Sequence, residues 1–532
     1  MLKLLVLILY GIEGFYTSSD TGKTFRRIYS ADSGCIYNIL NYDPRLATSS
    51  CGGQGWYDLC MAISPLDSNS VYIGGVNTWH SNNGGNTWKI ASQWTNNIST
   101  LEVVHADKHF MGYNPLSPHT LFETNDGGVY KTAPDTSYWV DLSNGLGITQ
   151  FYRIAVADNA NYTLGGAQDN DTKIVRTTNK NDEVRTSGDG MECNIDYSDS
   201  SIYYVAIQYG NITRYVGTSG TNISRNITPT PTGAWTTPYI IDPATPSTLY
   251  VGYNKLYHSE DRGSNWTAYT KLFSGNIDRI VVSPLNSSYI FVLVSNLVWY
   301  STDAGTTWTS MNNFFGTISD IVADPNNPDH IWATYANYTG KKVMDRHISD
   351  ITWHDDSGTL PNIPLHSIVI DKVDGTKYVG TDVGIFYRDT VMNDWALYNN
   401  GLPVVQVNDM AINYATGEIW AGTYGRGMWK AAKANPPTAG ISQIPYSTDV
   451  IAVSPNPGHG HLRVSTTSQW LINKQVDMRL INAAGITAWQ GINSFDASGH
   501  MDVDMGKPAS GQYILEVSAQ SMAARTRVVI LR

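Results

Sequence analysis

The chain has 532 residues, 42% hydrophobic and only 15% charged, a composition that packs into a globular core and excludes a disordered chain. A net charge of -11, with no run of Lys or Arg, excludes nucleic acid as the main partner. No stretch of eighteen apolar residues occurs, so no membrane span is expected.

In chain order, "MLKLLVLILYGIEG" comes first. One lysine and the apolar run after it fit either a short signal h-region or a buried strand, and both readings stand. Four cysteines follow, at 35, 51, 60 and 193, too few for a disulfide scaffold. Cys51 and Cys60 flank a glycine-rich loop and are the pair expected to join in an oxidising compartment. No CxxC occurs, so no zinc site, metal or other cofactor is expected.

An octet then recurs: "SSDTGKTF" from Ser18, "SNNGGNTW" from Ser81, "SEDRGSNW" from Ser259 and "STDAGTTW" from Ser301. Worn copies end at Trp139, Trp353 and Trp395. Short alternating runs rich in Val, Ile and Tyr precede most copies, for example "VYIGGVNTWH" and "IFVLVSNLVWY", and read as strand pairs. Trp266 to Trp308 is 42 residues, Trp308 to Trp353 is 45, and Trp353 to Trp395 is 42. A period of that length holding four short strands is a propeller blade. In each octet, Asp20, Asn83, Asp261 or Asp303 is expected to accept hydrogen bonds from the turn's own backbone. The glycine supplies positive φ and the aromatic packs between sheets. Asn83 fits this structural role, because an amide caps a turn but makes a poor acid.

These octets resemble Asp-box (BNR) repeats, found in sialidases, sortilin-type propellers and xyloglucan-hydrolysing endoglucanases. The resemblance covers about residues 12–431. The phrases "QGWYDLCMAISP", "HADKHFMGYNP", "NDGGVYKT", "NGLGITQFYRI", "GGAQDN", "GDGMECNID" and "YGRGMW" look like large secreted Asp-box proteins of Bacteroidetes. A sialidase is disfavoured, because no Arg-Ile-Pro tripeptide precedes the octets. The architecture implied is all-β, a propeller of about ten blades or of seven preceded by part of a second. A single ring is expected, because three loose blades would leave sheet edges open to water.

Candidate site residues fall where octets are worn or absent. On a strand, His105, Asp107 and His109 of "HADKH" would share one face and either line a polar channel, the expected reading, or bind a metal. Asp126, Asp169, Asp189 and Glu192 sit beside glycines in further modules. With Asp107 they are the candidate acids of a glycosidase, which needs two carboxyls about 5–5.5 Å or about 6.5–9.5 Å apart. Gln168 joins the ligand-binding candidates, and Trp56, Tyr57, Trp79, Trp94, Phe151 and Tyr152 are candidate sugar platforms.

The propeller pattern ends at residue 431, and residues 432–449 read as a linker. Residues 450–532 carry six or seven alternating strands with turns at Pro455-Asn456-Pro457, the signature of a small Ig-like β-sandwich. "SPNP", "LINAAG" and "SGQYILEV" resemble the C-terminal sorting domain of type IX secretion substrates. That resemblance implies contact with the type IX machinery and a secreted or outer-surface destination. The expected function is a propeller that binds protein or glycan, because no catalytic motif is complete; the alternative is an extracellular glycoside hydrolase acting on a polysaccharide. Opposed carboxylates in an open cleft would favour the second.

Overall fold

The alternating runs form antiparallel strands, and tight turns fold them into ten successive sheets before residue 433. The structure, a computed structural model, describes all residues except 1, 9–10, 32–34, 46–50, 134–137, 177–182, 185–187, 313–314, 400, 435–445, 448–450, 483–486, 520–521 and 532. Among the described residues there is no α-helix, only two 3-10 turns.

Each sheet is a meander of strands in chain order. The first holds Leu2–Ile8, Gly11–Ser18 and Arg26–Tyr29. The second runs from Cys60–Ile63 to Lys89–Ser92, the third from Lys108–Asn114 to Val140–Asp141, and the fourth from Phe151–Ala155 to Glu183–Val184. The fifth runs from Cys193–Ile195 to Ser219–Asn222, the sixth from Tyr239–Ile241 to Thr267–Ala268, and the seventh from Ile277–Val282 to Thr309–Met311. The eighth runs from Ile318–Ala323 to His354–Asp355, the ninth from Leu365–Ile370 to Ala396–Leu397, and the tenth from Val407–Asn413 to Met428–Ala432.

The ring closes between the fourth and tenth sheets, which corrects the expectation of one ring of ten. Asn408 Nδ2 donates to Phe151 O at 2.9 Å, and Ile154 N donates to Asp409 Oδ2 at 2.8 Å. Trp420 of the tenth sheet packs with Phe151, Ile154 and Ala167 of the fourth. Each neighbouring pair between them shares an apolar core, for example Ile195, Tyr203 and Val205 with Leu164 and Ile174. Seven sheets are therefore a complete propeller. The first three pack on one another instead, through Phe15, Ile73 and Trp88, then through Tyr72, Met111 and Trp139. Loops cover part of these faces, with Ile39 and Leu40 buried beside Phe15 and Val104 beside Tyr72. This cover is what the objection to three loose blades left out.

In five of the seven ring sheets the first strand shifts register after its opening residue, at Phe151/Arg153, Ile277/Arg279, Ile318/Asp320, Leu365/Ser367 and Val407/Asp409. Charged groups from different sheets then meet inside the ring. Arg279 Nε lies 2.9 Å from Asp320 Oδ1, and Arg153 Nε lies 3.4 Å from Glu192 Oε2. The Asp409 and Asp320 charges act on Arg153 as well.

The four octets are alike in detail. In "STDAGTTW", Ser301 Oγ donates to Asp303 Oδ1 at 2.8 Å and accepts from Gly305 N at 2.8 Å. Asp303 Oδ1 also accepts from Thr307 N at 2.8 Å. Ser18/Asp20, Ser81/Asn83 and Ser259/Asp261 repeat the pattern. Gly305 has φ +84°, and an added Cβ would lie 2.4 Å from the Tyr269 ring, so no other residue fits. Several octet or worn-octet tryptophans reach back one module: Trp266 Nε1 donates to Ile223 O, Trp353 to Asn312 O and Trp395 to Asp356 O. The worn copy ending at Trp139 includes residues outside those described.

One further detail differs from expectation. The disulfide joins Cys35 to Cys51, leaving Cys60 free. Cys60 opens the first strand of the second sheet, where its sulfur faces Gly74 at close range. The N-terminal run forms a strand, Leu2–Ile8, paired with Gly11–Ser18. No helix among the described residues is long and apolar enough to cross a membrane.

The chain divides into two units, Met1–Pro436 and Pro437–Arg532. In the second, a five-stranded sheet and a three-stranded sheet share one core around Leu462, Val464, Leu480, Leu515 and Val528. Tyr446–Ser447, within the expected linker, pairs with Met522–Ile530. Asn456 of the Pro-Asn-Pro turn is tied to the last strand, donating to Arg527 O and accepting from Val529 N, both at 2.8 Å.

Candidate active site

In a four-stranded meander, the loop into the first strand and the hairpin from second to third strand lie at one end. The hairpin from third to fourth strand lies at the other. The octets join Leu297–Ser301 to Thr309–Met311 and their equivalents, so they occupy the second end. The candidate residues occupy the first. Asp107 precedes Lys108–Asn114, Asp126 sits on the hairpin before Gly128–Thr132, and Asp169 sits on the hairpin before Thr172–Arg176.

There the three carboxylates converge: one oxygen each from Asp107, Asp126 and Asp169 lie within 4.8 Å of one another. Each is held by different means. Gln54 Nε2 donates to Asp107 Oδ1. Tyr57 O–H donates to Asp126 Oδ2 at 2.8 Å, and His109 Nε2 lies 2.7 Å from Asp126 Oδ1. Asp169 N donates to Asp189 Oδ1 at 2.6 Å, which fixes the hairpin rather than the Asp169 carboxylate. Asp107 and Asp169 adopt φ of +64° and +58°, a region Asp tolerates better than most residues. The third and fourth sheets are stitched at this point. Asn170 Nδ2 donates to Asp126 O at 2.9 Å, and His105 Nε2 lies 2.8 Å from Asp169 O. An added Cβ at Gly127 would lie 2.4 Å from the His105 ring, so glycine is what admits the imidazole.

The electrostatics favour protonated acids. Burial, then the Asp189 and Asp126 charges, push Asp169 up to about 7. Burial and Asp126 also raise Asp107. Behind Asp107 lies Asp58, fully buried, with neither oxygen meeting a hydrogen-bond partner. Burial first and Asp107 second push it up to about 8. Beside the trio opens a polar cavity of about 180 Å³, lined by Tyr57, Asp126, Gln150, Gln168, Asp169 and Tyr424 among others. Tyr424 O–H donates to Gln168 Oε1 at 2.5 Å, bringing the tenth sheet into the wall.

Several expectations are corrected. His105, Asp107 and His109 do not share one face of a strand. The strand begins only at Lys108, and positive φ at Asp107 turns the chain, so each side chain takes its own partner. Glu192 turns to Arg153 inside the ring rather than to the trio. Asp189 is buried and caps the Asp169 backbone. Trp79 and Phe151 are core residues, whereas Trp56 and Tyr57 are exposed beside the trio, and Trp94 is exposed with its Nε1 donating to Tyr42 O. Tyr152 lies half-buried, its hydroxyl 3.4 Å from Trp235 Nε1. The sequence reading passes over Gln54, Asp58, Tyr424 and Trp235. The first three lie inside phrases singled out for other residues, and Trp235 belongs to no repeat.

Among the described residues, Asp107, Asp126 and Asp169 are the one group able to offer three oxygens to a metal ion. Tyr57 and His109 each hydrogen-bond one of the two Asp126 oxygens as well.

No protein-family profile matches the chain. It is similar to xyloglucanase Xgh74A of Acetivibrio thermocellus, 23% identical over 242 residues, covering 39% of this chain and 26% of that enzyme. A second Acetivibrio thermocellus sequence of the same name gives the same figures. The chain thus matches about a quarter of the length of these curated relatives. The crystal structure of a Niastella koreensis GH74 enzyme aligns over 79% of this chain and 72% of its own, at 14% identity and a TM-score of 0.34.

Proposed function

We propose that this chain cleaves a glycosidic bond in a polysaccharide by acid–base chemistry at the Asp107–Asp126–Asp169 cluster. The observation that carries the reading is the convergence of three carboxylates beside a polar cavity, with Asp169 pushed up to about 7. A carboxyl of that pKa keeps its proton near neutrality and serves as general acid. Asp169 then protonates the glycosidic oxygen as the C–O bond breaks. Asp126, held by Tyr57 and His109, is the partner carboxyl that takes the anomeric carbon, and water then displaces it. Carboxyl oxygens that all lie within 4.8 Å of one another fit the roughly 5–5.5 Å spacing of a retaining pair better than the roughly 6.5–9.5 Å of an inverting one. An inverting outcome would put the second carboxyl outside the trio.

The similarity to a xyloglucanase makes xyloglucan the first substrate to test, with other β-glucans beside it. Release of reducing ends by the full chain, lost in Asp169→Asn, is the expected result. No hydrolysis of any glycan, with retention on a polysaccharide gel, would leave the binding reading in its place.

The octets are read here as Asp-box repeats, and residues 450–532 as a small Ig-like sorting domain that carries the propeller to the cell surface or beyond by type IX secretion. What supports the address is the resemblance of "SPNP", "LINAAG" and "SGQYILEV" to sorting domains of that kind. Fractionation of cells expressing the full chain and one ending at residue 449 tests it. Equal export of both would remove the address.

A further inference from the structure

The loop into the sixth sheet and the turn at the centre of the fifth lie at the same end as the acid cluster. They carry two aromatic residues that no repeat and no core contact explains. Trp235 is 44% exposed and Tyr209 is 51% exposed. Their rings meet edge to face at 5.3 Å and 86°. The pair is held firmly. Tyr209 N donates to Trp235 O at 3.2 Å, and Gly233 N donates to Tyr209 O at 3.1 Å. Tyr209 has φ +64°, a conformation an aromatic residue adopts only when its surroundings impose it. Trp235 Nε1 is tethered to the Tyr152 hydroxyl at 3.4 Å. Tyr152 lies two residues along the chain from Gln150, which lines the cavity beside the acids, and burial, with the Asp189 and Asp169 charges adding to it, raises its hydroxyl.

An indole kept rigid, half bare and one side chain away from the acid cluster is suited to stack on the apolar face of a sugar ring. We propose that Trp235, braced by Tyr209 and Tyr152, is the stacking platform of a second sugar subsite, so that the ligand is a chain of pyranose units rather than a single sugar. This rests on the reading of the site as one for a glycan. Trp56 and Tyr57, exposed beside Asp126, give such a chain a second aromatic contact at the acids.

The test is affinity electrophoresis and titration of the full chain with xyloglucan and with β-glucan oligosaccharides of two to six units. Affinity should rise with length, and Trp235→Ala should weaken binding of the longer oligosaccharides about tenfold while leaving the disaccharide unchanged. Trp235→Phe should restore most of the loss, and an unchanged circular dichroism spectrum and melting temperature keep misfolding out of the result. If hydrolysis is present, KM should rise for long substrates with kcat nearly constant. Equal binding by wild type and Trp235→Ala at every length would overturn the platform even if hydrolysis is found. Length-dependent binding lost in Trp235→Ala without any hydrolysis would uphold it while the catalytic reading falls. Absence of binding by the wild type to every glycan would overturn both.

Discussion

At the scale of single residues, the cluster should leave a signature in pH dependence. Asp58 and Asp169 have folded-state pKa values raised from 3.8 to about 8 and about 7. Between the ordinary and raised values the folded state holds more protons than the unfolded one, so stability falls as pH rises across that window and levels off above it. Asp58→Asn removes the buried charge without changing its shape. At pH 9 it should raise the melting temperature by about 2–4 °C, and at pH 4 it should do nothing comparable, as differential scanning calorimetry would register. The same shift at Asp169 predicts that hydrolysis declines as pH passes about 7, because the acid loses its proton. Asp169→Asn should lower kcat roughly 100- to 10,000-fold and abolish that limb of the pH–rate profile. The sequence marks Asp107, Asp126 and Asp169 as candidates because each stands beside glycines or histidines in a turn-like phrase. It does not reveal that they meet, since they come from two sheets. Nor does it mark Asp58, whose unusual state arises from burial and the neighbouring Asp107 charge.

At the scale of the element, the octet is a clasp at the end of the blade away from the acids. Ser301 is buried, and its hydroxyl satisfies both Gly305 N–H and Asp303. Ser301→Ala strands that buried N–H and should cost about 1–3 kcal/mol in urea unfolding, with no change in glycan binding. Acid acts on the same clasp. Thr307 N–H, the Thr307 hydroxyl and Ser301 hold Asp303 down to about 2, and Thr24 and Ser18 do the same for Asp20. Their contribution is complete above the ordinary carboxyl pKa and disappears as pH falls through about 2. This element is the most legible part of the chain, because the Ser, Asp, Gly and Thr bonds that shape the turn span four residues or fewer. The HADKH segment is the opposite case: its alternation predicts a strand, but positive φ at Asp107 overrides the pattern for the sake of a contact made far along the chain.

At the scale of the whole molecule, the period of the octets tells the blade size but not which blades close on each other. Closure depends on Trp420 meeting Phe151 and Ile154, partners with no local signal. Trp420→Ala should cost about 3–5 kcal/mol and open the seam to proteolysis near residues 149–158, which mass spectrometry of the fragments would locate. The two ends of that seam are distant in the chain. Tyr414 N reaches Asp158 across a separation of 256 residues, and Tyr424 reaches Gln168 across the same interval. Contacts of such high order form late, because a long loop must be ordered first. During synthesis the third and fourth sheets can emerge and bring the acids together, yet the cavity wall remains missing until the tenth blade leaves the ribosome. The molecule therefore acquires its complete binding surface only as its last blade docks, and a chain halted anywhere before that point should be inert rather than partly active.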